Sequence, residues 1–432
     1  MFRKIAAAVT LLAVPHPAWA QDQTVVAANE TGDTAWILAA SALFLLAALP
    51  GLAMFYAGQV RSRNLLSVVT QIGAVAAVAS LAWVVVGYTL AFGDSVGGFV
   101  GNGRAWMLIQ LDNLRVGTIV PESTFALFRM IFAVLAPALM VGAWVERARF
   151  GWVTAFTAIW SVVVFAPVAH WVWGGGWLAA FGTADFGGGL TVLTVAGVSS
   201  LVVALLMGKR LDFGSPDVAP HAPMISVVGA LLLWVGWFGL TGGSTFTATD
   251  DASTAIINTH VAAAAAGLVW LLASKVSHGK PSATGFASGV LAGLATVTPA
   301  AGFISPGAAI VFGICGSLAC FRAFRLVRDS WGIDDALGVF ALFGVGGMLG
   351  TLLLAPFMSE SLGGTGYAGN TGMAGTLLAQ ALGVGVVAIY SAIATAIIAV
   401  AVSLFIPMRV SEEEERAGLD GSTHGDDVNL RH

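Results

Sequence analysis

Charge is scarce in this sequence: Lys, Arg, Asp and Glu together make up 10% of 432 residues, while 57% are hydrophobic. So little charge cannot clothe a soluble globule of this length, and soluble fold classes are excluded. Cysteine is almost missing. Cys315 and Cys320 fall in one apolar stretch, which leaves no external disulfide framework and no cluster of Cys and His spaced for a metal. Basic runs of the kind that grip nucleic acid are absent too. Within the apolar stretches no nucleophile stands with a base, so enzymatic chemistry is not expected. The net charge of -4 carries little information, because acids and bases are segregated along the chain.

What the chain has instead is length of apolar sequence. Runs of about 20 apolar residues match a bilayer crossed by helix, and their continuity argues against the alternating pattern of a barrel. The mean hydropathy of +0.87 agrees. The reading is an all-α polytopic membrane protein with eleven transmembrane helices, roughly 33 to 56, 65 to 92, 121 to 144, 150 to 170, 188 to 208, 222 to 241, 254 to 275, 284 to 300, 304 to 321, 336 to 357 and 377 to 406. Residues 1–20 read as a signal peptide, with Arg3 and Lys4, a short apolar stretch and the cleavage pattern Ala18-Trp19-Ala20. The membrane domain is then 21–407 and the polar tail 408–432.

Orientation follows from the basic residues. Connections after odd-numbered spans carry Arg61, Arg63, Arg147, Arg149, Lys209, Arg210, Lys275, Lys280, Arg322, Arg325 and Arg328, and the tail after span eleven carries Arg409 and Arg416, whereas those after even-numbered spans carry only Arg104 and Arg115. The amino terminus is therefore expected outside and the tail in the cytoplasm. Glycine-rich spans five and ten occupy matching places in the two halves, as in a five-plus-five inverted repeat followed by a C-terminal helix.

Several motifs then fall in order: AHWVWGGGWL at 169–178, ADFGGG at 184–189, GWFGLTGGS at 236–244, TVTPAAGF at 296–303, IDDALGVF at 333–340 and the tail RVSEEEERAGLDGSTHGDD. Together they resemble the ammonium transporter (Amt/Mep/Rh) family, in its bacterial Amt branch. The resemblance implies an inner-membrane homotrimer that takes ammonium or ammonia, needs no cofactor, and meets a PII-type signalling protein at its tail. It also implies an external aromatic cup at Trp173, Phe132 and Ser244. A small cation can rest on the ring faces there while the hydroxyl accepts an N–H. Phe132 would be the outer ring of the pore gate, and Leu240 stands where the family places the inner ring. Phe128, Trp237 and Arg129 match vestibule positions.

Asp185 lies beside the cup, with two roles open: a cap that adds negative potential, or a proton acceptor. Arg129 stands where relatives usually carry a neutral amide. Two readings stay open for it as well: an arginine reaching outward, with Glu122 seven residues earlier as partner, or a change in what the cup recognises. The sharpest departure comes at the two positions where conducting relatives carry a pair of pore histidines, thought to relay a proton. They are Leu193 and Phe343 here. Neither can donate, accept or carry a proton. Of the seven histidines, His170 belongs to the shared motif and His260 is the one unusual intramembrane candidate, for which a packed neutral ring is the plainer reading. The expectation is a protein that binds ammonium and lacks the usual relay, passing neutral ammonia if it conducts. The alternative is a non-conducting sensor or regulatory subunit that signals through its tail.

Overall fold

The computed structural model describes residues 31–109, 111, 113–215, 221–367 and 371–425, so the signal peptide reading lies outside the described residues. Ten helical runs are long and apolar enough to cross a bilayer. They are α1 Thr31–Ala57, α2 Ser62–Phe92, α3 Glu122–Trp144, α4 Phe150–Phe181, α5 Gly189–Met207, α6 Pro223–Gly243, α7 Asp250–His278, α9 Pro306–Ser330, α10 Phe340–Phe357 and α11 Gly372–Ser403. A shorter apolar helix of 15 residues, α8 Ala283–Val297, lies between α7 and α9. The strands among the described residues are a minimal hairpin after α2, in which Ser95–Val96 pairs antiparallel with Val100–Gly101.

Helix α3 is the axle of the bundle. From Phe128 to Trp144 all but Met130 are buried, because small and apolar side chains follow one another around its whole circumference. The opposite case is α11, which leaves Leu378, Ile389, Ile393 and Ile397 exposed along one side, as a helix facing lipid or another apolar surface does.

Helices α5 and α10 cross antiparallel through their small residues. A methyl group on Gly197 would sit 2.3 Å from the Gly344 Cα, and one on Gly347 would sit 2.3 Å from the Gly189 carbonyl oxygen. Only glycine allows the backbones so close. Both helices open on a π-helical turn, Gly189–Thr194 and Phe340–Gly344, and each then continues for 13 α-helical residues. Wide turns of this kind re-aim the side chains they carry.

Candidate functional site

The aromatic cluster around Trp173 is built where the helix Ala166–Trp173 within α4 ends. Trp173 closes the helix Ala166–Trp173, and the triple glycine after it turns the chain sharply, with Gly175 at φ +78°. A side chain on Gly174 would strike the Ala91 carbonyl at 2.0 Å, which explains the glycine there. The indole Nε1 donates to the Asp185 carbonyl oxygen at 2.7 Å, so the WGGG and ADFGGG motifs lock each other in place.

Asp185 is a helix cap. Its carboxylate accepts from the amides of Gly188, Leu190 and Thr191 at 3.0, 3.1 and 2.8 Å and from the Thr191 hydroxyl at 2.8 Å. Burial nevertheless holds its pKa above the usual carboxylate range, against the pull of those donors. The arrangement stabilises the start of α5 and leaves little of either oxygen free to take a proton from a ligand.

Phe132 and Trp173 meet edge to face at 5.3 Å, with Phe44 4.8 Å and Phe128 5.3 Å from Phe132. Ser244 is half-buried and donates its hydroxyl hydrogen to the Leu240 carbonyl at 2.7 Å, which leaves its oxygen to act as an acceptor. Phe132 and Leu240 are both buried, and Leu240 packs within 3.0 Å of the position a Gly187 side chain would occupy. Trp237 is fully enclosed and donates to Thr298 at 2.9 Å, which puts it inside the packed wall and not on the vestibule surface.

The structure corrects the reading of Arg129 as a paired, outward-reaching side chain. It is 7% exposed, and no acid among the described residues lies within ion-pairing distance of it. Its guanidinium carbon lies 4.1 Å from the Trp173 ring centre, 5.2 Å from Phe246, 5.3 Å from Phe132, 5.4 Å from Phe125 and 5.9 Å from Phe92. The expected partner, Glu122, is taken by Arg115 at 3.1 Å and by the Tyr88 hydroxyl. Seven residues of helix rise about 10 Å, which a loop arginine beside Glu122 need not cross. Phe125 was findable in the sequence, one turn before Arg129 on the same face. Phe92 and Phe246 were not, since they arrive from α2 and from the loop after α6.

Leu193 and Phe343 are both enclosed, each on the π-helical turn of its helix. Leu193 Cβ lies 3.0 Å from the side-chain position of Gly347, one turn beyond Phe343, so both residues lie along the crossing of α5 and α10. No histidine substitutes there. His260 is exposed on α7 with its ring 5.2 Å from Trp234 and 5.9 Å from Phe238. His170 is buried between the Ala91 carbonyl, 3.0 Å from Nδ1, and the Ser95 hydroxyl, 2.8 Å from Nε2.

At the other end of α10 a charge network closes the bundle. Glu146 binds Arg61 at 2.9 Å and Arg210 at 2.8 Å, and Arg210 also binds Asp334 at 2.9 Å. Burial alone would raise both carboxyls, but Arg210 and Arg61 hold Glu146 below the usual range, and Arg147 and Arg210 do the same for Asp334. Next to them Asp335 is pushed up to about 6 by burial, even though it accepts from the Phe340 amide at 2.8 Å.

The tail docks onto this end of its own chain. Asp420 accepts from the Leu66 and Ser67 amides at 3.1 and 2.7 Å, capping the long helix of α2, and Leu419 donates to Asn64 at 2.8 Å. Glu415 joins Arg409 at 2.7 Å and accepts from the Leu211 amide at 2.8 Å. Ser411 and Glu414 form a capping box that starts the tail helix Glu412–Ala417.

Comparison with known proteins places this architecture. Residues 35–429 match the model of the Ammonium Transporter Family. The chain is 40% identical over 400 residues to the ammonium transporter of Aquifex aeolicus, covering 92% of this chain and 93% of that one. It is also 40% identical over 401 residues to the ammonium transporter of Bacillus subtilis, covering 92% and 98%. Among solved structures it is similar to one named Sensor Amt Protein, with a TM-score of 0.85, 28% identity and coverage of 91% and 98%. It is similar as well to Mep2 of Saccharomyces cerevisiae, with a TM-score of 0.83, 31% identity and coverage of 90% and 89%.

Proposed function

Because the chain belongs to the ammonium transporter family, whose members are transporters and not enzymes, we propose that it takes ammonium from outside at Trp173, Phe132 and Ser244 and moves no ammonium ion through a histidine relay. Any flux through it is neutral ammonia. The observation that carries this reading is the pair of enclosed apolar side chains, Leu193 and Phe343, at the α5–α10 contact. An ion there has nothing to replace its water, whereas a neutral amine loses far less on desolvation. Phe132 and Leu240 form the constriction above, with Asp185 holding the recess open through its cap.

The wider assignment rests on the sequence. It comprises a cleaved signal at 1–20, a membrane domain at 21–407, a regulatory tail at 408–432, an external amino terminus, a cytoplasmic tail and a homotrimer in a bacterial inner membrane.

The test is electrical. Protein reconstituted on a solid-supported membrane gives no sustained current after an ammonium pulse. A robust current would overturn the assignment of Leu193 and Phe343. Stopped-flow measurement of internal pH in vesicles then reports neutral ammonia.

One observation favours a second reading, in which the chain is a non-conducting ammonium sensor. Its acidic tail is tied to the start of α2 through Asp420 and to the loop after α5 through Glu415, and one similar solved chain is named as a sensor. Binding of a PII-type protein that changes with ammonium, in vesicles that pass no ammonia, would favour the sensor. Binding indifferent to ammonium would remove it.

A further inference from the structure

The outer recess already contains a cation. Five aromatic rings surround the Arg129 guanidinium, and its carbon lies nearest Trp173, over the ring at 4.1 Å from the centre. Its Nε and Nη1 are buried with no hydrogen-bond partner, which a guanidinium tolerates when its N–H groups are aimed at ring faces. The nearby acids do not compete for it. Asp185 spends its oxygens on four donors of its own cap, and Glu122 is held by Arg115 and Tyr88. The rings are therefore its direct contacts among the described residues, and Asp185 acts on the charge through space without an ion pair.

A ring face attracts a cation within about 6 Å of its centre. With a guanidinium over Trp173 at 4.1 Å and over Phe132 at 5.3 Å, a second cation brought to the same rings meets like charge and occupied space. We propose that Arg129 is the resident cation of the outer recess, keeping Trp173 and Phe132 closed to free cations until its side chain is displaced. Arg129 is then a specificity-determining residue. It sets a threshold below which external cations do not register, and its displacement is the first event that binding must drive. The identity of the free cation as ammonium rests on the proposed function, whereas the occupancy of the recess by Arg129 does not.

The test uses the full-length protein in detergent, with methylguanidinium chloride and ammonium chloride as separate probes against sodium chloride at matched ionic strength. Binding is read from the shift in melting temperature. Arg129→Ala should bind methylguanidinium on the order of tenfold more tightly than the unaltered protein, and adding Trp173→Ala should abolish the gain. Arg129→Gln should open the recess as Arg129→Ala does, while Arg129→Lys keeps a cation in place and should leave it closed. A purely structural role would not separate Gln from Lys in this way. Equal methylguanidinium binding by the unaltered protein and both neutral variants would overturn the proposal. A gain for methylguanidinium without one for ammonium would uphold Arg129 as the resident cation and overturn the recess as an ammonium site.

Discussion

The entries to α5 and α10 use one device twice, in opposite chemical company. In each, an aspartate caps the helix, a glycine three residues later takes positive φ, and the residue eight positions on from the aspartate lies in the π-helical turn. The residues are Asp185, Gly188 and Leu193 in one and Asp335, Gly338 and Phe343 in the other. The cap of α5 stands almost alone with its four donors, beneath a recess of aromatic rings. The cap of α10 stands among Asp334, Arg147 and Arg210, and its Oδ1 has no hydrogen-bond partner. The same backbone solution therefore serves two functions. One end shapes an aromatic cluster around a single arginine, and the other ties loops and tail together through paired charges.

The largest effect should come from breaking the charged end. Glu146→Gln removes a carboxylate shared by two arginines and should cost about 3–5 kcal/mol, read as a large drop in melting temperature in detergent. A drop no greater than that of an exposed substitution would show the network contributes little. Next comes the comparison of the caps themselves. Asp185→Ala strands three amides and a hydroxyl and should cost about 2–4 kcal/mol, more than Asp335→Ala, whose carboxyl accepts fewer bonds. Equal losses would mean that the surroundings, and not the caps, hold the helix starts.

Within the charged end, the carboxyls should separate by pH. Asp335 is raised above its ordinary value, so its neutral form favours the folded state, and stability should decline as pH rises from about 4 to about 6. Asp335→Asn should flatten that slope. Glu146 and Asp334 are depressed, so their contribution is present above the ordinary carboxylate pKa of about 4 and is lost as pH falls below it. A melting curve against pH that is unchanged between 4 and 6 by Asp335→Asn would remove the distinction. The smallest effect belongs to the tail. Asp420→Ala should cost about 1 kcal/mol and expose the segment after Val410 to limited proteolysis without lowering the melting point of the bundle much. An unaltered digestion pattern would place the tail's anchor elsewhere.

Much of the recess was legible beforehand. Trp173 and Asp185 sit in contiguous motifs whose spacing forces a turn, so their contact follows from local chain geometry. The cap role of Asp185, left open against a proton-accepting one, is carried by amides three to six residues away, within reach of any helix start. Of the two readings open for Arg129, the pairing with Glu122 fails because Arg115, seven residues before that acid, claims it. Trp237 and Phe128 match vestibule positions by sequence, and that both are enclosed follows only from the packing, Trp237 against Thr298 of another helix.

The sequence by itself determined that the chain is a bundle of apolar helices, which end is rich in arginine, and that no histidine stands at 193 or 343. Those are matters of composition, period and identity, and each is fixed residue by residue. Only the tertiary structure decided which groups meet: that Arg129 lies over Trp173, that α5 and α10 touch through Gly197 and Gly344 with Leu193 and Phe343 enclosed along the crossing, and that Asp420 reaches back more than 350 residues to cap α2. The reason is physical. A buried charge takes its meaning from partners within a few ångströms, and in a helical membrane bundle those partners come from elements distant in the chain.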